Sequence, residues 1–153
     1  MTHTKTALVA DGDAGLRRTH REALGALGFL AIEAEDGFTL LERLRRVRPQ
    51  VIVLDLELRG LDGTEVLHFL RRNEDWMDIP VVVTSSLADA SARRLVRQCG
   101  GTAFLPKPVD PQVLRQVVGA LLLPDDPRWG AESPAPGAGA TVNLPTPEAR
   151  GGL

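Results

Sequence analysis

Charged and hydroxyl-bearing residues stand directly after several apolar runs of this sequence. Asp11 and Asp13 follow the first run, and Asp55 follows a run in the middle of the chain. Farther on, residues 84–86 (Thr-Ser-Ser) end another run, and Lys107 follows a short one. If these runs are parallel strands of one sheet, their carboxyl ends meet at one edge, where ligands collect in such sheets. We therefore expect carboxylates, a hydroxyl group and an ammonium group to converge there.

These residue types suit the transfer of a phosphoryl group to a carboxylate. A carboxylate is a competent nucleophile toward phosphorus when the charge on the transferred oxygens is neutralised, and we predict that Asp55 is this nucleophile. Lys107 would supply positive charge, and the Ser85 hydroxyl would donate a hydrogen bond to the new phosphoryl oxygens. Mg²⁺ takes few protein ligands and keeps several waters. Asp11, Asp55 and the backbone carbonyl of Glu57 could therefore hold it.

The apolar runs themselves predict the strands that position these residues. Residues 6–10, 51–54 and 81–83 are short and continuously apolar, as strands are when helices cover both faces of a parallel sheet. Residues 29–33 and 102–105 are the predicted second and fifth strands.

Segments with helical spacing of apolar residues separate the runs. The first helix is predicted to end in a left-handed C-cap at Gly28, and the second is ended by Pro49. The fourth is predicted over residues 88–98, with Leu95, Val96 and Cys99 on one side. Asp110 can cap the fifth helix. Five strand–helix units predict an α/β fold with a doubly wound, five-stranded parallel sheet.

The composition changes after Pro124. Residues 1–123 are predicted to form one domain, and 153 residues with 43% hydrophobic content allow one core of ordinary size. Residues 124–153 are rich in Pro, Gly and Ala and poor in clustered apolar residues, so burial cannot offset their chain entropy. We predict that they form a disordered tail and that no output domain follows.

The charge and cysteine content narrow the function classes. A formal net charge of −2 gives no strong field for gathering nucleic acid or anionic membrane, so we expect neither as a partner. The apolar runs fall far short of the ~20 residues of a membrane helix. A lone cysteine, Cys99, and no charged-then-apolar leader favour a cytoplasmic location.

His3, His20 and His68 are scattered and are predicted to be surface residues.

Four segments carry a resemblance to a known family. The segments ALVADGDAGLR, VIVLDLELRGLDGTEVL, IPVVVTSS and FLPKPVD occur in this order, and residues 5–123 resemble the receiver domains of two-component response regulators. The resemblance implies a flavodoxin-like (βα)5 fold with strand order 2-1-3-4-5. It also implies that Asp55 is the phospho-acceptor, Ser85 the hydroxyl switch residue and Phe104 the aromatic switch residue. Asp11 then matches a metal ligand and Lys107 a phosphate-binding lysine.

The resemblance further implies a function in signalling. A sensor histidine kinase or a histidine phosphotransfer protein would donate the phosphoryl group. The chain would not be an enzyme, and any loss of the phosphoryl group would be self-catalysed. Phosphorylation would shift the population toward a state in which the fourth helix, the fifth strand and the fifth helix present a changed surface to a protein effector.

Gly12 departs from the family pattern. Receiver domains usually have two adjacent acidic residues after the first strand, and the second is a metal ligand. Here Gly12 takes that place, and Asp13, displaced by one residue, should point elsewhere. It remains a possible auxiliary ligand. The loss of one carboxylate predicts weak Mg²⁺ binding, and the Glu57 side chain could partly replace the missing charge.

Two other functions fit parts of the sequence. Gly12 also fits a receiver-like interaction module that works without phosphorylation, with Lys107 as a purely structural partner of Asp55. The second is that of a phosphatase, because the order of the motifs also resembles that of haloacid-dehalogenase-type phosphatases. In that case Asp11 would be the nucleophile and Asp13 the general acid and base. That second reading leaves Asp55 without a role and places the acidic pair 125–126 at the start of the Pro-rich tail.

Overall fold

The computed structural model describes residues 5–87 and 89–122, in which five strands alternate with five helices. The predicted tail, residues 124–153, lies outside these described residues. The strands are β1 (Lys5–Ala10), β2 (Phe29–Ala34), β3 (Val51–Asp55), β4 (Val81–Ser85) and β5 (Ala103–Pro106). The helices are α1 (Ala14–Gly25), α2 (Gly37–Leu44), α3 (Gly63–Arg72), α4 (Ala90–Cys99) and α5 (Pro111–Leu122). No helix within the described ranges is long and apolar enough to cross a membrane.

The strands form one parallel sheet in the order β2-β1-β3-β4-β5. This confirms the predicted doubly wound fold. Ala10 pairs with Leu54, so the residue after β1 lies beside the last residue of β3. The strand order reverses between these two strands, because β2 lies on one side of β1 and β3 on the other. A crevice therefore opens at their carboxyl ends.

Each face of the sheet has its own apolar core. α1 and α5 cover one face, where Leu24 and Leu114 are fully buried, and the other three helices cover the opposite face, where Leu40, Leu67 and Val96 are buried. Each large apolar side chain buried in this way contributes about 1.5–3 kcal/mol. Burial on both faces is the reason that the inner strands read as continuous apolar runs.

The helix ends differ from the predicted ones. α1 ends at Gly25 with Ala26 as its C-cap, and Gly28, at φ +89°, lies in the turn that follows. α4 begins at Ala90 because the Asp89 side chain accepts a hydrogen bond from the Ala92 N–H. Leu95, predicted to share the inner side of α4, is 44% exposed. It lies at the margin of the inward-facing stripe, because 3.6 residues per turn place residues 92, 96 and 99 on the sheet.

His20 is buried, against the prediction that it is a surface residue, whereas His68 is exposed as predicted and His3 lies outside the described residues. His20 lies on the inner face of α1 and is only 1% exposed. Neither of its ring nitrogens has a hydrogen-bond partner among the residues that the structure describes. Leu16, His20 and Leu24 are spaced four apart and lie on one helix face. The position along α1, and not the polarity of the residue, therefore decides its burial.

Candidate functional site

Asp55 is the last residue of β3 and lies at the mouth of the crevice. Its side chain is buried, and the residue is 5% exposed. Its Oδ1 accepts a hydrogen bond from the Glu57 N–H at 3.0 Å and lies 3.2 Å from the Lys107 Nζ. Among the described residues, the polar contacts of this carboxylate all go to Oδ1. Oδ2 is therefore the oxygen that can take up a new bond.

Asp11 follows β1 and lies on the other side of the same lysine. It is 2% exposed, its Oδ1 accepts the Asp13 N–H at 2.8 Å, and its Oδ2 lies 3.1 Å from the Lys107 Nζ. Lys107 follows β5, and its backbone N–H donates to the Ser85 carbonyl oxygen at 2.8 Å, which ties it to the end of β4. One ammonium group thus bridges two buried carboxylates that come from β1 and β3.

Asp11, Asp55 and Lys107 together carry an excess of negative charge. Burial raises the pKa of Asp55, and the nearby charge of Asp11 raises it further, against the opposing Glu57 N–H and Lys107. Burial alone would lower the pKa of Lys107, but its contacts with Asp11 and Asp55 outweigh burial and raise it. Two carboxylates facing one ammonium group favour the binding of a further cation.

Two carboxylates and a carbonyl are a sparse but suitable donor set for Mg²⁺, which commonly binds proteins through one or two carboxylates and waters. No group of three or more His, Cys, Asp or Glu side chains is arranged to hold a metal within residues 5–87 and 89–122. Asp13 is exposed, and its Oδ1 caps α1 by accepting the Leu16 N–H at 3.0 Å. A Cβ built at Gly12 would meet only the Glu35 carbonyl oxygen, at 3.9 Å. The place for a second carboxylate is therefore open.

Ser85 ends β4, and its side chain is fully buried. Its Oγ donates a hydrogen bond to the Glu57 Oε2 at 2.7 Å and accepts one from the Leu87 N–H at 2.9 Å. The Ser86 N–H donates to the Glu57 Oε1 at 2.8 Å. The Glu57 carboxylate therefore turns toward the end of β4. The sequence shows only that Glu57 lies two residues beyond Asp55. This predicts that Glu57 lies near the carboxyl edge of the sheet, but it does not give the direction of the side chain.

Phe104 lies in β5, where it pairs with Val83. Because side chains alternate along a strand, this register places Phe104 on the face of the sheet to which Ser85 points. The ring is 1% exposed, and the Arg93 guanidinium of α4 lies 4.9 Å from its centroid. The aromatic residue is thus turned into the core and covered by α4.

The sequence profile described as "Response regulator receiver domain" matches residues 7–119. The response regulator MprA of Mycobacterium sp. (strain KMS) is 34% identical over 128 residues, which are 84% of this chain and 55% of that protein. The chain thus spans about half the length of the curated relatives that it matches.

Solved structures agree in fold. The chemotaxis response regulator CheY4 of Vibrio cholerae is similar with a TM-score of 0.74 and 21% identity, covering 78% of this chain and 100% of that one. The receiver domain of the Francisella response regulator 1452 gives a TM-score of 0.72 and 26% identity, covering 78% and 97%. With the family match over most of the sequence, this chain belongs to the response regulator receiver domain family of two-component systems.

Proposed function

We propose that this chain accepts a phosphoryl group on Asp55 and thereby acts as the switch of a two-component phosphorelay. The observation that carries the proposal is the bridging position of Lys107, 3.2 Å from the acceptor carboxylate and 3.1 Å from Asp11. The lysine can follow negative charge that develops on a transferred phosphoryl group, and the buried site strengthens this attraction.

The transfer step uses groups on both sides of the crevice. Oδ2 of Asp55 forms a bond to phosphorus while the bond from phosphorus to the donor, a phosphohistidine nitrogen or the acetate oxygen of acetyl phosphate, breaks. Lys107 stays beside the acceptor and neutralises the phosphoryl oxygens. Asp11, Asp55 and the Glu57 carbonyl would hold Mg²⁺, which would supply further positive charge to the site.

The partners and output follow from this role. The donor is a sensor histidine kinase or a histidine phosphotransfer protein, and the chain itself is not an enzyme. Ser85 and Phe104 link the acceptor to the surface of α4, β5 and α5, which presents the signal to a protein effector in the cytoplasm.

Labelling by acetyl phosphate tests the proposal. We expect the intact mass to rise by one phosphoryl group in the presence of Mg²⁺, and we expect Asp55→Asn to abolish the change. Peptide mapping after borohydride reduction places the label. A label on Asp11 would instead favour the phosphatase chemistry, and the absence of any label would overturn the proposal.

One observation favours a second function, a receiver-like interaction module that works without phosphorylation. Gly12 removes one metal-binding carboxylate from the site. If Asp55→Asn and Asp55→Ala leave effector binding and biological output unchanged, the interaction module is the better description.

A further inference from the structure

The Glu57 carboxylate makes a two-pronged contact with the end of β4. Its Oε2 accepts the Ser85 hydroxyl at 2.7 Å, and its Oε1 accepts the Ser86 N–H at 2.8 Å. An anionic group with two oxygens thus takes one hydroxyl donor and one backbone donor. A phosphoryl group presents its oxygens to donors in the same way.

These two donors lie beside the proposed acceptor. Asp55 pairs with Thr84 across β3 and β4, and the Leu56 N–H donates to the Thr84 carbonyl oxygen at 2.8 Å. Ser85 and Ser86 come directly after Thr84 and therefore lie at the carboxyl edge of the sheet, next to Asp55. Each donor has a single proton and can fully serve one acceptor at a time. Oxygens of a phosphoryl group on Asp55 and those of Glu57 would compete for the same two protons.

We propose that the Glu57 side chain is an internal substitute for the phosphoryl group, which occupies the phosphate donors Ser85 and Ser86 until a phosphoryl group displaces it. This inference rests on the proposed function of Asp55. Glu57 is an exposed residue on a short loop, so its side chain can turn into water when a second anion arrives. Repulsion between the two anions would drive that movement.

The occupation of these donors by Glu57 has a consequence for the switch residues Ser85 and Phe104. Ser85 is fully buried and Phe104 is turned into the core in the unmodified chain. With Glu57 as the acceptor, the Ser85 hydroxyl already has the anionic partner that phosphorylation would bring. Phosphorylation then exchanges the Glu57 carboxylate for the phosphoryl group as the partner of the Ser85 hydroxyl, so the hydroxyl turns from Glu57 toward Asp55.

The test compares Glu57→Ala and Glu57→Gln with the wild-type chain and with Glu35→Ala. Glu35 is an exposed carboxylate at the same edge of the sheet, so its removal changes the net charge by the same amount. The rate of labelling by acetyl phosphate and the affinity for beryllofluoride are measured with Mg²⁺. The amide signals of Ser86 are compared by NMR in the unmodified proteins.

We expect Glu57→Ala to raise the labelling rate and the beryllofluoride affinity about 3- to 10-fold, the size of one or two freed hydrogen-bond donors. Glu57→Gln, which keeps one acceptor oxygen and loses the charge, should lie between Ala and wild type. Glu35→Ala should stay within about twofold. The Ser86 amide signal should move in Glu57→Ala and stay in place in Glu35→Ala.

The outcomes separate this inference from the proposed function. If no variant is labelled on Asp55, the proposed function fails and the inference fails with it. If wild type and Glu57→Ala are labelled on Asp55 at equal rates, the inference is overturned while the proposed function stands, whatever the Ser86 amide shows. Faster labelling of Glu57→Ala together with a shifted Ser86 amide supports both.

Discussion

Lys107 reaches across the carboxyl edge of the sheet from the end of β5 to Asp11 after β1, with 3.1 Å between Nζ and Oδ2. β3 and β4 lie between these two strands, so the contact spans the crevice and encloses the proposed acceptor. An ion pair of this reach joins two distant elements of the fold. Its loss should therefore affect both stability and the reactivity of Asp55.

Lys107→Met should destabilise the fold because it leaves two buried carboxylates without a cation. We expect the free energy of unfolding at pH 7 to fall by about 2–3 kcal/mol, slightly below the range for a fully buried pair because the lysine side chain is 15% exposed. Urea denaturation measures the change. Arg72→Met, on the exposed side of α3, is the matched control and should cost less than about 0.5 kcal/mol.

Asp55→Asn should recover more free energy of unfolding in the Lys107→Met variant than it adds to the wild-type chain, because without Lys107 the Asp55 charge faces Asp11 with no cation beside it. A strictly additive double variant would show that Lys107 and Asp55 do not interact energetically.

Asp55→Asn should stabilise the protein in the absence of Mg²⁺. Burial and the Asp11 charge raise the pKa of Asp55 in the folded state, so its ionised form opposes folding at neutral pH. This cost falls away as the pH drops through the raised folded pKa toward the unfolded value of about 4. We expect Asn to add on the order of 1 kcal/mol at pH 7 and almost nothing near pH 3. Denaturation at both pH values in EDTA gives the answer, and equal effects at both would contradict it.

His20 should make the protein lose stability in mild acid. Burial lowers the pKa of His20 in the fold; the charge of Asp11 opposes this and that of Lys107 adds to it. As the pH falls below about 6.5, the unfolded chain therefore binds a proton at His20 before the folded chain does. The free energy of unfolding decreases over this range, until the pH reaches the lowered pKa of the folded state.

The variant His20→Leu removes this titration and two buried nitrogens that have no hydrogen-bond partner among the described residues. We expect it to raise the free energy of unfolding by about 1 kcal/mol at pH 7.5 and by more at pH 5.5. His68→Leu, at an exposed position of α3, serves as the control. A gain that is the same at both pH values would show that His20 does not titrate in this range.

The sheet and its reactive edge could be predicted because both depend on strongly patterned sequence. Residues 51–54 are continuously apolar, as strands covered on both faces are, and Asp55 directly after them is therefore expected at the carboxyl end of a strand. Once the strands are parallel, the residues after β1, β3 and β5 share that edge. Asp11 and Lys107 follow from this topology without any knowledge of their side-chain conformations.

Details that depend on one side chain or one helix end could not be predicted. The direction of Glu57 depends on its rotamer and on two donors at the end of β4, neither of which has a sequence signature. His20 is buried because of its position on α1, whereas its polarity predicted exposure. Leu95 shows the converse, since an apolar residue at the margin of a helical stripe can face solvent.

Gly12→Asp should restore a stronger cation site. A Cβ fits at this position, and the added carboxylate would stand next in sequence to Asp11. Without a cation, a third negative charge beside Asp11 should lower the free energy of unfolding by about 0.5–1 kcal/mol. With Mg²⁺ the order should reverse, because a ligand that binds only the folded state stabilises it according to its concentration relative to Kd.

Thermal unfolding with and without excess Mg²⁺ should therefore give curves whose order changes between wild type and Gly12→Asp. Labelling by acetyl phosphate should be faster in the variant under the same conditions. Gly12→Asn controls for the added side chain, since its amide is a weaker ligand for Mg²⁺ and carries no charge. If Mg²⁺ stabilises Gly12→Asp no more than wild type, Gly12 does not mark the missing metal ligand.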